Sequence, residues 1–205
     1  MERIELKARA RAQMKPYLGI MIISALLLSV LYYMTDYVTN PFAYLFLFLV
    51  YGPLQIGFTW LTLDLVNGKR ILFTDVFQGF NRYGRVVGFY FINSLMIFGW
   101  LLLFIVPGLI KIYSYSMAPY ILKENPDMTI LEAITKSREL MDGHKMDLFI
   151  LELSFIGWIL LSIITFGVVG LYVSPYLSVT IANFYRDLKP IDDPVVVDLE
   201  FDKVV

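Results

Sequence analysis

The sequence predicts an all-α polytopic membrane protein with six transmembrane helices. They form three hairpins, each preceded by a cytoplasmic amphipathic helix. Hydrophobic side chains make up 58 % of the 205 residues and charged ones only 17 %, which is more apolar surface than a soluble domain of this size can bury. All charged residues except Asp36 and Lys111 lie in four bands, at residues 2–15, 64–85, 123–152 and 186–203. The same layout of segments also occurs three times along the chain, which indicates a threefold internal repeat.

Six stretches are apolar and long enough to be considered as membrane spans, each of which takes about 20 residues. They cover residues 16–34, 42–66, 86–106, 108–122, 146–165 and 168–184. The first has a basic flank but no small-residue cleavage site after it, so we interpret it as a retained helix and not as a signal peptide. The fourth is short and contains Lys111. If it were a re-entrant or surface segment, five spans would remain.

The basic residues favour six spans over five, because cytoplasmic loops collect Lys and Arg. With six spans, every Lys and Arg except Lys111 falls on one side. The connections near Asp36, Pro107 and Gly167 carry no basic residue. With five spans, several basic residues would lie outside. We therefore expect a multi-pass protein of the cell membrane with both termini in the cytoplasm.

The third unit of the repeat, residues 129–188, has the clearest pattern. Thr129 and Glu132 have the spacing of a capping box at a helix start, and Gly143 is expected to end this helix. Its apolar side chains fall on one face: Ile130, Ala133, Ile134, Leu140 and Met141. We expect such a helix to lie along the membrane interface, with its apolar face toward lipid or toward the bundle.

The second unit, about residues 72–126, follows the same plan. Thr74 is the expected cap and Gly84 the expected end of its first helix. The apolar stripe consists of Phe73, Phe77 and Phe80. The run Phe98-Gly99-Trp100 corresponds to Ile156-Gly157-Trp158 in the third unit.

The first unit, about residues 2–68, has diverged further, and its first helix is predicted over residues 2–15. The alternative explanation of the whole repeat is chance resemblance among hydrophobic helices.

Polar side chains at membrane depth are candidate functional residues, because hydrocarbon solvates them poorly. The candidates are Glu152, Asn93, Asp64, Lys111 and Asn183. Asp64 and Asn183, near the cytoplasmic ends of spans, and Lys111, near the outer face, are expected to reach water with extended side chains. Asn93 is expected to bond to a neighbouring helix. For Glu152 we expect pairing with a buried basic residue or a role in helix packing, and transport is the alternative.

The basic residues beside the amphipathic helices predict a collar that binds anionic lipid and docks partners. The candidate lipid contacts are Lys136, Arg138, Lys145, Arg82 and Arg85. Residues 189–205 form an acidic cytoplasmic tail, expected to be disordered. Alternatively, the tail adds a strand to the sheet edge of a protein partner.

Several kinds of chemistry find no support in the sequence. The chain has no cysteine and a single histidine, His144, so thiolate and multi-histidine metal sites are excluded. HExxH, GxSxG and Walker-type motifs are missing. We therefore expect no enzymatic activity, cofactor or metal. The net charge of −1 argues against nucleic-acid binding.

The leading function class is a non-catalytic membrane module that binds lipid or a partner protein. The first alternative is a small transporter or permeation pathway that uses Glu152 and Asn93. A membrane enzyme acting on lipid ranks third.

Two runs of sequence carry a resemblance to a known family. The run from Ser137 to Lys145, followed by Leu153-Ser154-Phe155-Ile156-Gly157-Trp158, resembles the bacterial integral-membrane family called domain of unknown function 975. The run from Phe184 to Leu188 is similar to that family too. The resemblance is strong over residues 129–188 and looser in the first two units. It implies a bacterial multi-pass membrane protein and, since the family has no established activity, no catalytic residue.

Overall fold

A computed structural model describes residues 3–36 and 45–189, and within these ranges every regular element is helical. The first unit opens with α1 (Arg3–Met14), which the sequence predicted, and α2 (Leu18–Asp36) follows after a 3-10 turn that contains Pro16. A π-helical turn, Leu47–Tyr51, then leads into α3 (Gly52–Val66). The start of the second predicted span and the tail from residue 190 lie outside the described residues.

The second unit departs from its predicted boundaries. It consists of a 3-10 helix (Phe73–Phe77), α4 (Gln78–Asn81), α5 (Tyr83–Leu103), α6 (Ile105–Tyr115) and α7 (Ala118–Glu124). Thr74 is not the cap: the Asp75 carboxylate accepts a hydrogen bond from the Leu72 N–H at 2.7 Å. Gly84 does not end a helix but lies in the first turn of α5, because the chain breaks earlier, at Arg82. The fourth predicted span is interrupted at Ser116 and Met117.

The third unit begins as predicted. The Glu132 N–H donates to the Thr129 hydroxyl at 3.3 Å, and the Thr129 N–H donates to the Glu132 carboxylate at 2.8 Å. These bonds start α8 (Ile130–Leu140), and Gly143 follows it with φ +78°, a conformation that favours glycine. The remaining helices are α9 (Lys145–Leu153), α10 (Ile156–Ile164) and α11 (Gly170–Leu188).

The fifth predicted span is therefore two helices, α9 and α10. At the break between them, the Lys7 ammonium donates to the Ser154 carbonyl at 3.0 Å and lies 4.2 Å from the Phe155 ring centre. A half-buried cation of α1 thus satisfies a carbonyl that the interrupted helix leaves without an intrahelical donor. This contact joins the first unit to the third.

The core gathers around α11, which packs against α1, α2 and α3. Tyr176 and Tyr185 of α11 are almost fully buried. The Tyr185 ring stacks on Tyr120 at 4.9 Å, and the Tyr176 ring meets Phe155 edge-on at 5.0 Å. The α5–α6 and α10–α11 turns, in contrast, expose apolar side chains, among them Leu102 at 72 % and Phe166 at 99 %.

Four helical stretches of the described ranges are long and apolar enough to cross a membrane: Arg3–Met34, Phe48–Val66, Tyr83–Leu103 and Lys145–Ile164. In the most apolar windows of the first, third and fourth stretches only 22 %, 11 % and 17 % is buried inside the protein, whereas 72 % of the second is buried. Exposed apolar surface on this scale requires a non-aqueous surrounding. These features together suggest a membrane location.

The segment from Phe73 to Asn81 packs on α3 with backbone against backbone. A Cβ atom added at Gly57 would lie 1.9 Å from the Val76 carbonyl oxygen, and one added at Gly79 would lie 2.1 Å from the Pro53 carbonyl oxygen. Neither oxygen can move without shifting its main chain. Glycine at both positions therefore permits the close approach of the two segments.

We expect Gly57→Ala to lower the free energy of unfolding by about 1–3 kcal/mol, because the added methyl group pushes the segment away from α3. The measurement is thermal unfolding in mild detergent, followed by size-exclusion chromatography of heated samples. Gly99→Ala is the matched control, since a Cβ there meets nothing within 4 Å. Equal losses in the two variants would contradict the close packing.

Candidate functional site

Basic side chains from three helices converge on one cavity of about 350 Å³. Lys111 comes from α6, Arg138 from α8, and Lys145 follows the α8–α9 turn. Ser114 and Thr135 add hydroxyl groups to the lining, and Glu139 and Asp142 add carboxylates. We refer to this site as the basic cavity. The basic cavity thus brings two of the predicted lipid contacts, Arg138 and Lys145, together with Lys111, which the sequence analysis placed near the outer face.

A buried serine holds α8 in position beside α6. The Ser137 hydroxyl donates to the Ser114 carbonyl at 2.8 Å and accepts from the Met117 N–H at 3.2 Å. Met117 lies at the break between α6 and α7, so its N–H is free of the regular helical pattern. The interruption of the fourth predicted span is therefore what docks α8 and closes one side of the basic cavity.

The cations of the basic cavity are only partly neutralised. Lys145 lies 3.2 Å from the Asp142 carboxylate, and the Lys111 ammonium lies 4.7 Å from the centre of the Trp100 ring. Across residues 3–36 and 45–189, neither Lys111 nor Arg138 has a carboxylate within ion-pair distance. An incoming anion could therefore bind both without first displacing a salt bridge.

Several residues next in sequence to the cations of the basic cavity have exposed apolar side chains. Ile110 and Ile112 flank Lys111 in α6 with 49 % and 39 % of their surface exposed. Met146, next to Lys145, is 63 % exposed, and Phe149 follows one turn later. Cations beside an open apolar surface suit an amphiphile whose headgroup is anionic and whose chains are hydrocarbon.

The position of Lys111 near the outer face stays a prediction. Its side chain shares the basic cavity with Arg138 and Lys145, which the charge pattern assigns to the cytoplasmic side. The prediction treated residues 108–122 as one continuous span. Because the helix instead breaks after Tyr115, Lys111 lies close to the level at which α8 docks.

The other predicted lipid contacts differ in their surroundings. Lys136 and Arg82 are exposed and lie outside the basic cavity. Arg85 donates to the Asn125 carbonyl at 3.0 Å and to the Met128 carbonyl. It therefore fixes the turn between α7 and α8, which is a structural role that its sequence position did not indicate.

Asp64 is buried and paired, contrary to the expectation that it reaches water. Only 7 % of the residue is exposed, the Lys123 ammonium lies 2.5 Å from one carboxylate oxygen, and Lys69 lies 3.1 Å from the other. Lys123 also donates to the Trp60 carbonyl, and the Trp60 indole donates to the Pro119 carbonyl at 2.8 Å. Burial lowers the pKa of Lys123 to about 8, and the nearby Asp64 carboxylate opposes this shift.

Asn183 also fails to reach water, since it is fully buried. Its amide nitrogen donates to the Gln13 side chain at 2.7 Å and to the Val179 carbonyl at 3.0 Å. This contact ties α11 to the end of α1. The amide oxygen has no hydrogen-bond partner in the described chain.

Glu152 and Asn93 do not form a joint site. Glu152 accepts a hydrogen bond from the Tyr113 hydroxyl at 3.0 Å, and no described basic residue pairs with it. The expected basic partner is thus replaced by a tyrosine. The Asn93 amide oxygen is buried without a described partner, so the expected bond of this oxygen to a neighbouring helix is not observed. Neither residue lines the basic cavity.

Comparison with known proteins gives one match. Residues 91–191 match the family described as Protein of unknown function (DUF975). The matched segment contains α6, α8 and α9, and therefore all residues that line the basic cavity. No curated protein and no solved structure matched the chain.

Lys123→Met should lower the free energy of unfolding by about 3–5 kcal/mol, because it leaves the buried Asp64 carboxylate without its closest cation. The double variant Asp64→Asn with Lys123→Met should be less destabilised than Lys123→Met alone, since no buried charge is then left unpaired. Thermal unfolding in detergent gives the comparison, and Lys136→Met removes an exposed lysine as control. If the double variant loses as much unfolding free energy as the two single variants lose together, the ion-pair explanation is contradicted.

Proposed function

We propose that this chain, which belongs to the DUF975 family over residues 91–191, is a non-catalytic multi-pass membrane protein that binds an anionic lipid headgroup in the basic cavity. The observation that carries the proposal is the position of Lys111 and Arg138. Both line the basic cavity and lack a carboxylate within ion-pair distance in the described chain, and residues beside Lys111 and Lys145 in sequence have exposed apolar side chains. A phosphate or phosphodiester group would supply the missing negative charge.

The membrane arrangement that we propose is the six-span one. The hairpins α2–α3, α5–α6/α7 and α9/α10–α11 each follow a helical segment, which supports three related units. The turns at residues 104 and 165–168 carry no charge, whereas basic residues crowd the opposite ends of the helices. The positive-inside rule then places both termini in the cytoplasm of a bacterial cell. In this arrangement the basic cavity faces the anionic inner leaflet.

A lipid is favoured over a soluble anion by the apolar neighbours of Lys111 in α6. Ile110 and Ile112, the residues before and after it, both have exposed apolar side chains. A soluble anion would have to be desolvated at that position without gaining an apolar contact. A lipid places its chains on Ile110, Ile112 and Phe149 and its headgroup on the cations. Partner proteins could dock on the same face, where the exposed Lys136 lies.

The transport alternative has less support. A pathway that uses Glu152 and Asn93 would need a polar cavity that reaches them. Glu152 instead bonds to Tyr113, and neither residue lines the basic cavity. A membrane enzyme acting on lipid would need a nucleophile and an acid–base pair at the headgroup site. The hydroxyl groups of Ser114 and Thr135 have no histidine beside them in the lining.

The topology is tested by single cysteines on this cysteine-free chain. We expect Val106→Cys and Val168→Cys in intact cells to react with a membrane-impermeant maleimide, because Val106 lies just after the outer turn at residue 104 and Val168 lies in the outer turn at 165–168. Lys136→Cys should react only after the membrane is permeabilised. Labelling of Lys136→Cys in intact cells, with protection of the two turn variants, would refute the arrangement.

Lipid binding is tested by removing one positive charge at a time from α8. Arg138→Gln should reduce retained phosphatidylglycerol or cardiolipin about tenfold, the loss expected for one charge-assisted hydrogen bond. Lys136→Gln is the matched control: it removes the same charge from the same helix, at an exposed position outside the basic cavity. Native mass spectrometry counts the retained lipids. Equal retention by Arg138→Gln and the unmodified protein would mean that the basic residues act only as a topology signal.

A further inference from the structure

A second cavity, of about 260 Å³, lies between α2, α3 and α11, near the end of α2 that is remote from the basic α1. Its polar lining consists of Ser29, Tyr32, Tyr33, Tyr51, Gln55 and Ser174. No charged residue is found among the described side chains that line it. We refer to this site as the tyrosine cavity. It is separate from the basic cavity and shares no lining residue with it.

Helical spacing gathers these polar groups on one side of each helix. Ser29, Tyr32 and Tyr33 have i, i+3 and i+4 spacing in α2, and Tyr51 and Gln55 have i, i+4 spacing at the start of α3. Tyr51 ends the π-helical turn Leu47–Tyr51, a distortion that often occurs at functional sites. The Tyr51 and Tyr32 ring centres are 6.0 Å apart. The π-helical turn thus places the Tyr51 ring, at the start of the second helix of the hairpin, against Tyr32 in the first helix.

We propose that the tyrosine cavity binds a neutral sugar ring. Hydroxyl and amide groups both donate and accept hydrogen bonds, which matches the hydroxyl groups of a sugar. The Gln55 amide, which is half-buried, and the Ser174 hydroxyl, which is exposed, make no hydrogen bond to a described residue and are open to a ligand in the cavity. The Ser29 hydroxyl donates to the Ala25 carbonyl at 2.8 Å and keeps its lone pairs for a ligand. Aromatic rings supply apolar surface for the C–H face of the sugar.

Other ligand classes fit the tyrosine cavity less well. An anion would find no described cation in the lining. A quaternary ammonium group could rest on aromatic rings, but it cannot hydrogen-bond, so the Gln55 amide and the Ser174 hydroxyl would stay without partners in a desolvated complex. A ligand with several hydroxyl groups satisfies both.

The sugar can come from a glycolipid headgroup or from a free saccharide. The mouth of the tyrosine cavity favours a headgroup. Tyr32 and Tyr33 are 51 % and 61 % exposed, and the surface continues along α2 with the exposed Val30 and Leu26. Lipid chains attached to a bound sugar could lie along this apolar strip.

The test uses the full-length protein in phosphatidylglycerol nanodiscs with and without diglucosyl diacylglycerol, together with a titration with free maltose. Native mass spectrometry should show retained glycolipid on the unmodified protein. Gln55→Leu and Ser174→Ala should each reduce that retention about tenfold, the loss of one hydrogen bond in a desolvated site. Ser29→Ala tests the same lining from α2. Its matched control is Ser24→Ala, which removes a hydroxyl bonded to the Ile20 carbonyl at 2.7 Å, outside the tyrosine cavity.

Phosphatidylglycerol retained at the basic cavity serves as the folding control, so failure at one site is distinguished from failure at the other. Retention of glycolipid by the unmodified protein and by Ser24→Ala, with loss in the other three variants, supports the proposal. Maltose binding that shows the same pattern also supports it and identifies the sugar alone as sufficient. Unchanged glycolipid retention in Gln55→Leu and Ser174→Ala overturns it. Preferential retention of a choline lipid overturns it too, in favour of an aromatic cation site.

Discussion

A carboxylate buried in an apolar bundle has to be neutralised by the protein itself, and the charged end of this fold is arranged around one such group, Asp64. Its partner Lys123 belongs to α7, so the pair joins the first hairpin to the second. The next residue, Glu124, accepts from the Tyr185 hydroxyl and pairs with Lys189 beyond α11. Since a buried charge without a partner is strongly destabilising, these contacts allow few other ways to assemble the three units.

The helix that carries Lys123, α7, also affects the basic cavity, although the cavity and the Asp64–Lys123 pair share no residue. Pro119, in the first turn of α7, has no N–H and cannot continue the helix from Tyr115, so the chain breaks between Tyr115 and Ala118. The Lys123–Asp64 pair then holds α7 against α3. The break exposes the Met117 N–H to Ser137, and this bond sets the distance between α8 and α6. Lys111 and Arg138 converge because of that docking. The basic cavity therefore results from the way α6, α7 and α8 pack at the charged end of the bundle.

Local features of the fold could be predicted from the sequence, and features that depend on tertiary contacts could not. The helix cap at Thr129 and the helix end at Gly143 depend only on residues close to them in the sequence, and both predictions were confirmed. The boundaries at Thr74 and Gly84 were wrong because the segment there is shaped by backbone contact with α3. Lys123 was counted only as a topology signal. The apolar setting of Asp64 indicates that it needs a cation, but no spacing rule connects positions 59 residues apart.

The contrast between paired and unpaired charges gives the strongest physical reason to regard the basic cavity as a ligand site. Asp64, Glu124 and Asp187 each lie against a basic side chain at the charged end of the bundle. Lys111 and Arg138 have no such neighbour among the described residues, although two carboxylates line the same cavity. Like charges brought together without neutralisation repel each other and destabilise the fold. An anion bound between them removes that repulsion, and a ligand that binds only the folded state stabilises it by mass action.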